Sequence, residues 1–209
     1  MMTSRKRLAL LVLCLPLCLA LGGVAGCTQI LVASETNTIE EEPGERTFAR
    51  RVADESIEIK AVVNMHAADE AFDDAHLVVV SYNGYVLVAG QVPSEKLKGT
   101  ATEVVRELRE VRRIYNELEV AAPSSAMTRT SDTWITTKVK SWLIGKPDTP
   151  GLRTKVVTEN GVVYLMGMVT AEEADRIAAM AADISGVQRV VRLFELIDAQ
   201  GALPAPVVC

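Results

Sequence analysis

One internal repeat limits what this chain can fold into. Asn83-Gly84-Tyr85-Val86-Leu87-Val88-Ala89-Gly90 is echoed by Asn160-Gly161-Val162-Val163-Tyr164-Leu165-Met166-Gly167, and the segments on either side match at nearly the same offset: Asp54 to Lys60 with Asp132 to Lys138, and Val111 to Ile114 with Val187 to Val190. Two copies are too few for a solenoid, so the repeat predicts two related domains side by side. Each copy reads as helix, strand, strand, helix, strand. Asp54 and Asp132 stand where an N-cap would open the first helix. Asn-Gly then joins two β-runs, because both of its positions tolerate the positive φ of a tight hairpin. A helix near 94–109 or 171–184 and a last β-run near 114–120 or 187–197 complete the unit. Three strands and two helices make a two-layer α+β sandwich with both helices on one face of the sheet. Such a unit buries a small core and favours packing of one copy on the other.

The N-terminus is of another kind. Arg5, Lys6 and Arg7 precede an almost purely apolar run, Leu8 to Leu21, which falls short of the roughly 20 residues a spanning helix needs. Small residues follow, as cleavage requires, and the combination reads as an export signal. Val24-Ala25-Gly26-Cys27 resembles a bacterial lipobox, in which the cysteine thiol receives a lipid and becomes the new N-terminus. Plain secretory cleavage and an uncleaved anchor are the alternatives. Cys14 and Cys18 leave with the signal and Cys27 is the lipidation candidate. Cys209 then lacks a partner in its own chain, so the body is expected to hold together by burial alone. Removing residues 1–26 leaves 19 Lys+Arg against 27 Asp+Glu, a net charge of −8. That acidity argues against nucleic acid as a partner and against bulk attraction to anionic membrane, so any contact with anionic lipid has to be local.

The expected organisation is a signal peptide over 1–26, a lipidated N-terminus and linker over 27–53, a first domain over 54–121, a connection over 122–131, a second domain over 132–198 and a disordered tail over 199–209. The αββαβ unit, the hairpins ending in Val88-Ala89-Gly90 and Leu165-Met166-Gly167, and the Gly186-Val187 step resemble the BON domain. A pair of such units behind a lipobox, with Asp132-Thr133-Trp134-Ile135-Thr136-Thr137-Lys138-Val139 in the second, is similar to dual-BON outer-membrane lipoproteins of Gram-negative bacteria.

Chemistry-bearing residues are sparse. His66 and His76 have no cysteine or acidic pair at metal-like spacing, and no nucleophile elbow, P-loop or dinucleotide fingerprint is present. No metal, no cofactor and no enzymatic activity are expected. The informative stretch is the helix from Asp132 to Ile144. At 100° per residue, with Trp134 at zero, Ile135, Val139, Trp142 and Leu143 fall between about 80° and 180° and form the expected core face, while Lys138 lies beside Trp134 at about 40°. Two readings of Trp134 stay open. It packs against the other repeat or the connecting loop, or it is an interfacial anchor whose indole sits at a water–lipid boundary beside a lysine that meets anionic headgroups. The matched position in the first copy is Ser56, so the tryptophan belongs to the second copy alone.

The family resemblance implies binding of anionic phospholipid, such as phosphatidylglycerol or cardiolipin, through the first helix of the second domain, with Trp134, Ile135 and Lys138 matching the motif. It further implies a lipid-anchored protein on the periplasmic face of the outer membrane that supports envelope integrity, with a link to division sites. One tryptophan and one or two cations give about 2–4 kcal/mol, a weak contact that a covalent lipid at Cys27 would make sufficient. The alternative is a periplasmic scaffold whose Trp134 face docks an envelope protein.

Overall fold

The computed structural model describes residues 44–203, so the signal, Cys27 and most of the linker lie outside the described residues, as do 204–209. Within it the repeat becomes two copies of one topology. The first is α1 (Phe48–Ala68), a short 3-10 turn (Glu70–Asp74), β1 (His76–Tyr82), β2 (Tyr85–Val92), α2 (Glu95–Arg106) and β3 (Arg113–Val120). The second is α3 (Ala126–Ile144), β4 (Lys155–Glu159), β5 (Val162–Val169), α4 (Ala171–Ala182) and β6 (Arg189–Leu196). In each sheet the second strand is central, antiparallel to the first and parallel to the third. The parallel pair needs a crossover, and α2 and α4 supply it. Asn83 and Gly84, like Asn160 and Gly161, have positive φ, as the two-residue hairpin demands.

The first helices begin earlier than the sequence suggested. Thr47 and Ser125 are the N-caps, their hydroxyls accepting from the N–H groups of Arg50 and Thr128. Asp54 and Asp132 are therefore not caps. They sit one to two turns inside, buried, and grip the hairpins of their own domains. Asp54 accepts from the backbone N–H of Asn83 at 2.8 Å and of Gly84 at 2.9 Å. Asp132 accepts from Asn160 at 3.0 Å and Gly161 at 2.9 Å. A carboxylate presents two acceptor oxygens, so it closes a turn whose donors would otherwise be buried unpaired. The linker thus gives way to helix at Phe48, and the connection shrinks to a few residues before Ala126. At the other end, Asp198 accepts from the N–H groups of Gln200 and Ala202 and closes a turn within the described residues.

Strand alternation gives each sheet two apolar faces. Val86 and Val88 point at α1 and α2, and Val163 and Leu165 point at α3 and α4. Leu87 and Ala89 face the other way, onto Tyr164, Met166 and Leu193. The two sheets therefore pack back to back, and the layers run helix, sheet, sheet, helix. Polar pairs rim this seam. Arg112 holds the buried Glu195 with two bonds, of 2.6 and 3.0 Å. Glu159 takes the Gln91 amide at 3.0 Å and lies 3.3 Å from His76, while Lys155 reaches Glu58 at 2.8 Å. Burial raises the hydroxyl of Tyr164 to about 12, with the Glu117 carboxylate adding to the effect, so Tyr164 enters the seam neutral.

The chain enters this body at the seam. Gly44 is buried with φ +81°, and a Cβ there would meet Arg153, the Met168 carbonyl and Ile197. Two residues on, the Arg46 guanidinium lies 3.7 Å over the Tyr82 ring and 2.7 Å from Asp54. The entering segment is thereby clipped to both domains.

Candidate membrane-facing site

α3 buries Asp132, Ile135, Val139 and Leu143, a 3-4-4 spacing that sets one stripe against the sheet. Trp134 lies far from that stripe and is 64% exposed. It is thus not buried against the first domain or the connecting loop. Trp142, which the helical angle placed in the core, is 55% exposed. The buried stripe is centred nearer Asp132 than an apolar count suggests, because Asp132 occupies a core position to hold the hairpin. Trp142 is thus left at the edge of the stripe. Ile135 is only 3% exposed, and its side chain fills the space a Cβ on Gly186 would take. It supports the helix from beneath and does not reach solvent.

The outward face is consequently Met127, Trp134, Lys138 and Trp142, spread over about 80° of the helix. The Lys138 ammonium donates to the Ser185 carbonyl just past α4, which holds its charge over the groove between α3 and α4. Lys146 lies 5.7 Å from the Trp142 ring, within cation–π range. Trp142 also walls a cleft of about 400 Å³ with Met180 and Ile184 on the apolar side, Lys146 and Arg176 as cations and Asp148 and Asp183 as anions. Thr130, Thr133 and Thr137 donate to the carbonyls four residues back, at 2.9, 2.9 and 2.8 Å. Their hydroxyls are thereby satisfied within the helix, and the surface loses polarity. Since Asp132 is buried, the charges that α3 presents outward are all cationic: Arg129 and Lys140, exposed, and Lys138, half-buried.

The first domain serves as a control on the same scaffold. Met127, Trp134 and Trp142 correspond to Ala49, Ser56 and Asn64, while Lys138 corresponds to Lys60. The lysine is common to both copies and the large apolar side chains are not. Sequence reasoning missed Trp142 and Met127 as surface residues. Their signal was the same asymmetry between copies that marked Trp134.

The remaining candidates are structural. His66 bonds Asp73 at 2.7 Å, and His76 belongs to the seam. Among the described residues no cluster of His, Cys, Asp or Glu could hold a metal ion, and no helix is long and apolar enough to cross a membrane.

Comparison with known proteins agrees with this architecture. The BON domain model matches residues 53–122 and again 131–198. The chain is 33% identical over 173 residues to the outer membrane lipoprotein DolP of Haemophilus influenzae, covering 83% of this chain and 90% of that one. It is 31% identical over 153 residues to the 21 kDa hemolysin of Actinobacillus pleuropneumoniae, covering 73% and 79%. A solved structure, the C-terminal domain of the type III secretion structural protein CdsD of Chlamydia trachomatis, aligns over 69% of this chain and 67% of that one with 13% identity and a TM-score of 0.28, too low to bear on fold or function. The two relatives are named as a lipoprotein and a hemolysin, neither of them an enzyme family. Two BON domains and a third of the residues shared across nearly the whole of a curated relative place this chain in the BON-domain family, as a dual-BON protein similar to the outer membrane lipoprotein DolP.

Proposed function

We propose that this chain is a non-catalytic envelope lipoprotein, anchored through Cys27 on the periplasmic face of the outer membrane, whose helix α3 binds anionic phospholipid in support of membrane integrity, including at division sites. The observation that carries the reading is the pair Trp134 and Trp142, exposed two turns apart with Lys138 between them, on a helix whose only acid is buried. Indole rings suit the water–lipid boundary, and cations near the surface gain about 1 kcal/mol each from anionic headgroups. In the same position the first domain offers serine, lysine and asparagine, which have little to insert. Such a contact is weak by itself. A lipid at Cys27 supplies attachment, and α3 supplies preference among lipids.

The test uses the chain without residues 1–27 and vesicles of phosphatidylglycerol, cardiolipin or phosphatidylcholine. Co-sedimentation is expected with the two anionic lipids and not with phosphatidylcholine. Trp134→Glu is expected to abolish it and Trp142→Glu to weaken it at least fivefold, both with unchanged unfolding midpoints because both side chains are exposed. A folded protein that sediments with neither anionic lipid refutes the reading. The anchor has its own check: Cys27→Ala in the full chain is expected to remove metabolic acyl labelling, and labelling that persists would place the lipid elsewhere.

A further inference from the structure

Helix α1 carries a second exposed apolar face. Phe48, Val52, Ile59 and Val63 are 81%, 52%, 64% and 59% exposed. At 100° per residue they fall within about 60° of one another, and nearly opposite the buried stripe of Asp54, Ile57, Ala61 and Met65. The stripe runs about 22 Å along the helix. Its positions correspond in α3 to Ala126, Thr130, Thr137 and Ser141. The two copies have thus placed their large exposed side chains on different flanks of the same helix, and the α1 face is a separate surface.

Glu55 decides what fits there. It lies about 20° off one edge of the stripe, between Val52 and Ile59 along the axis, and is exposed. The other acids of α1 are engaged: Asp54 holds the hairpin and Glu58 holds Lys155 and the Ser81 N–H. Among the described residues Glu55 makes no ion pair. A carboxylate bordering the middle of an apolar face, without tryptophan, tyrosine or lysine in the stripe, does not suit an anionic membrane. The layer order also turns this face away from the one on α3. A second copy fits no better. An antiparallel pair sets Phe48 against Val63 and Val52 against Ile59, but its two-fold axis then brings the two Glu55 carboxylates together on one flank. Both would be desolvated as like charges.

We infer that the outward face of α1 docks an amphipathic helix of another envelope protein, one with an aliphatic ridge and a Lys or Arg at its centre that pairs with Glu55. Aliphatic anchors at helical spacing supply the area, and the carboxylate sets register and excludes self-pairing. The inference does not depend on lipid binding by α3.

The experiment replaces Val52 or Ile59, one at a time, with photoreactive benzoylphenylalanine in the full chain in its own bacterium, with Lys60 as the off-stripe control. Adducts are digested and sequenced by mass spectrometry. The expected result is one protein adduct from both stripe positions and none from Lys60, mapped to a helical segment with Leu, Ile or Val at the cross-link and Lys or Arg within a turn. Glu55→Lys is expected to cut its yield at least fivefold without moving the unfolding midpoint. Adducts only with acyl lipid, adducts with a second copy of the chain, a mapped segment lacking the basic residue, or no adduct at all would each overturn it.

Discussion

Asp54→Ala is expected to destabilise the protein by about 3–5 kcal/mol, the range for removing one partner of a buried, hydrogen-bonded charge. Asp54 is 2% exposed and accepts from four groups: the N–H of Asn83 and Gly84, the Ser81 hydroxyl at 2.8 Å and the Arg46 guanidinium at 2.7 Å. Alanine leaves two backbone donors of a tight turn and one cation without an acceptor, and it opens a hole beneath the hairpin. For a body of this size the loss corresponds to a fall in midpoint of roughly 10 °C. Urea unfolding at pH 7 reads the effect, and a loss below about 1 kcal/mol would show that the turn closes without the carboxylate. Asp132→Ala should cost less, since Asp132 holds only the two backbone donors of Asn160 and Gly161.

The same group gives an acid dependence. Burial pushes the Asp54 carboxyl up, but the bonds from Gly84, Ser81, Arg46 and Asn83 together outweigh it, and its pKa lies below the ordinary carboxylate value. A lowered folded pKa means stability that is fully present above the unfolded value, near 4, and is lost as pH falls through the folded one. The gap between the native chain and Asp54→Ala should therefore be widest at neutral pH and narrow below about pH 4. A gap that widens on acidification would contradict the assignment.

Met166→Glu is the second large effect, and it acts on the joint between domains. Met166 is fully buried on the central strand β5, facing Leu87 and Ala89 across the seam. Its neighbours Val163 and Leu165 point the other way, into the helix–sheet core of their own domain. A carboxylate at 166 must either be desolvated opposite apolar side chains or force the sheets apart, and burying a charge unpaired exceeds any contact the seam could lose. We expect the sheets to separate, with a loss of about 4 kcal/mol or more in stability. Small-angle scattering should show a larger radius of gyration, and amide exchange should show reduced protection at Gln91 and Glu159 while the strand centres of each domain keep theirs. An unchanged radius and midpoint would mean that the seam is not what joins the domains.

The strands and hairpins were legible because their signals are local: Asn-Gly, alternating apolar runs and a repeat that states everything twice. The helix starts were not. An aspartate before an apolar run looks like a cap, and nothing local to Asp54 or Asp132 says that its oxygens will be taken by a turn about 30 residues later. The recurrence of that aspartate before both hairpins was the available clue. The position of a helix start governs which faces can be read. With the first helix begun at Asp54, Phe48 and Val52 fell in the linker, and the stripe they complete with Ile59 and Val63 could not be seen. With Asp132 read as a cap and not as a core position, the core stripe of α3 was assigned Trp142. The back-to-back seam was foreshadowed only as a need for the two small cores to support each other, because apolar alternation on both faces of a strand does not say which face meets a helix.

The clip at Gly44 and Arg46 decides how an anchored molecule would hang. About 17 residues separate Cys27 from Gly44, a reach of at most roughly 58 Å. The chain enters the body at its waist, between Tyr82 of one domain and Met168 of the other, and at neither helical pole. A lever held at its fulcrum can tip either arm downward at little cost. A contact of α3 with a bilayer, as proposed, would then set the resting tilt, and it would turn the α1 face away from that bilayer on the opposite arm.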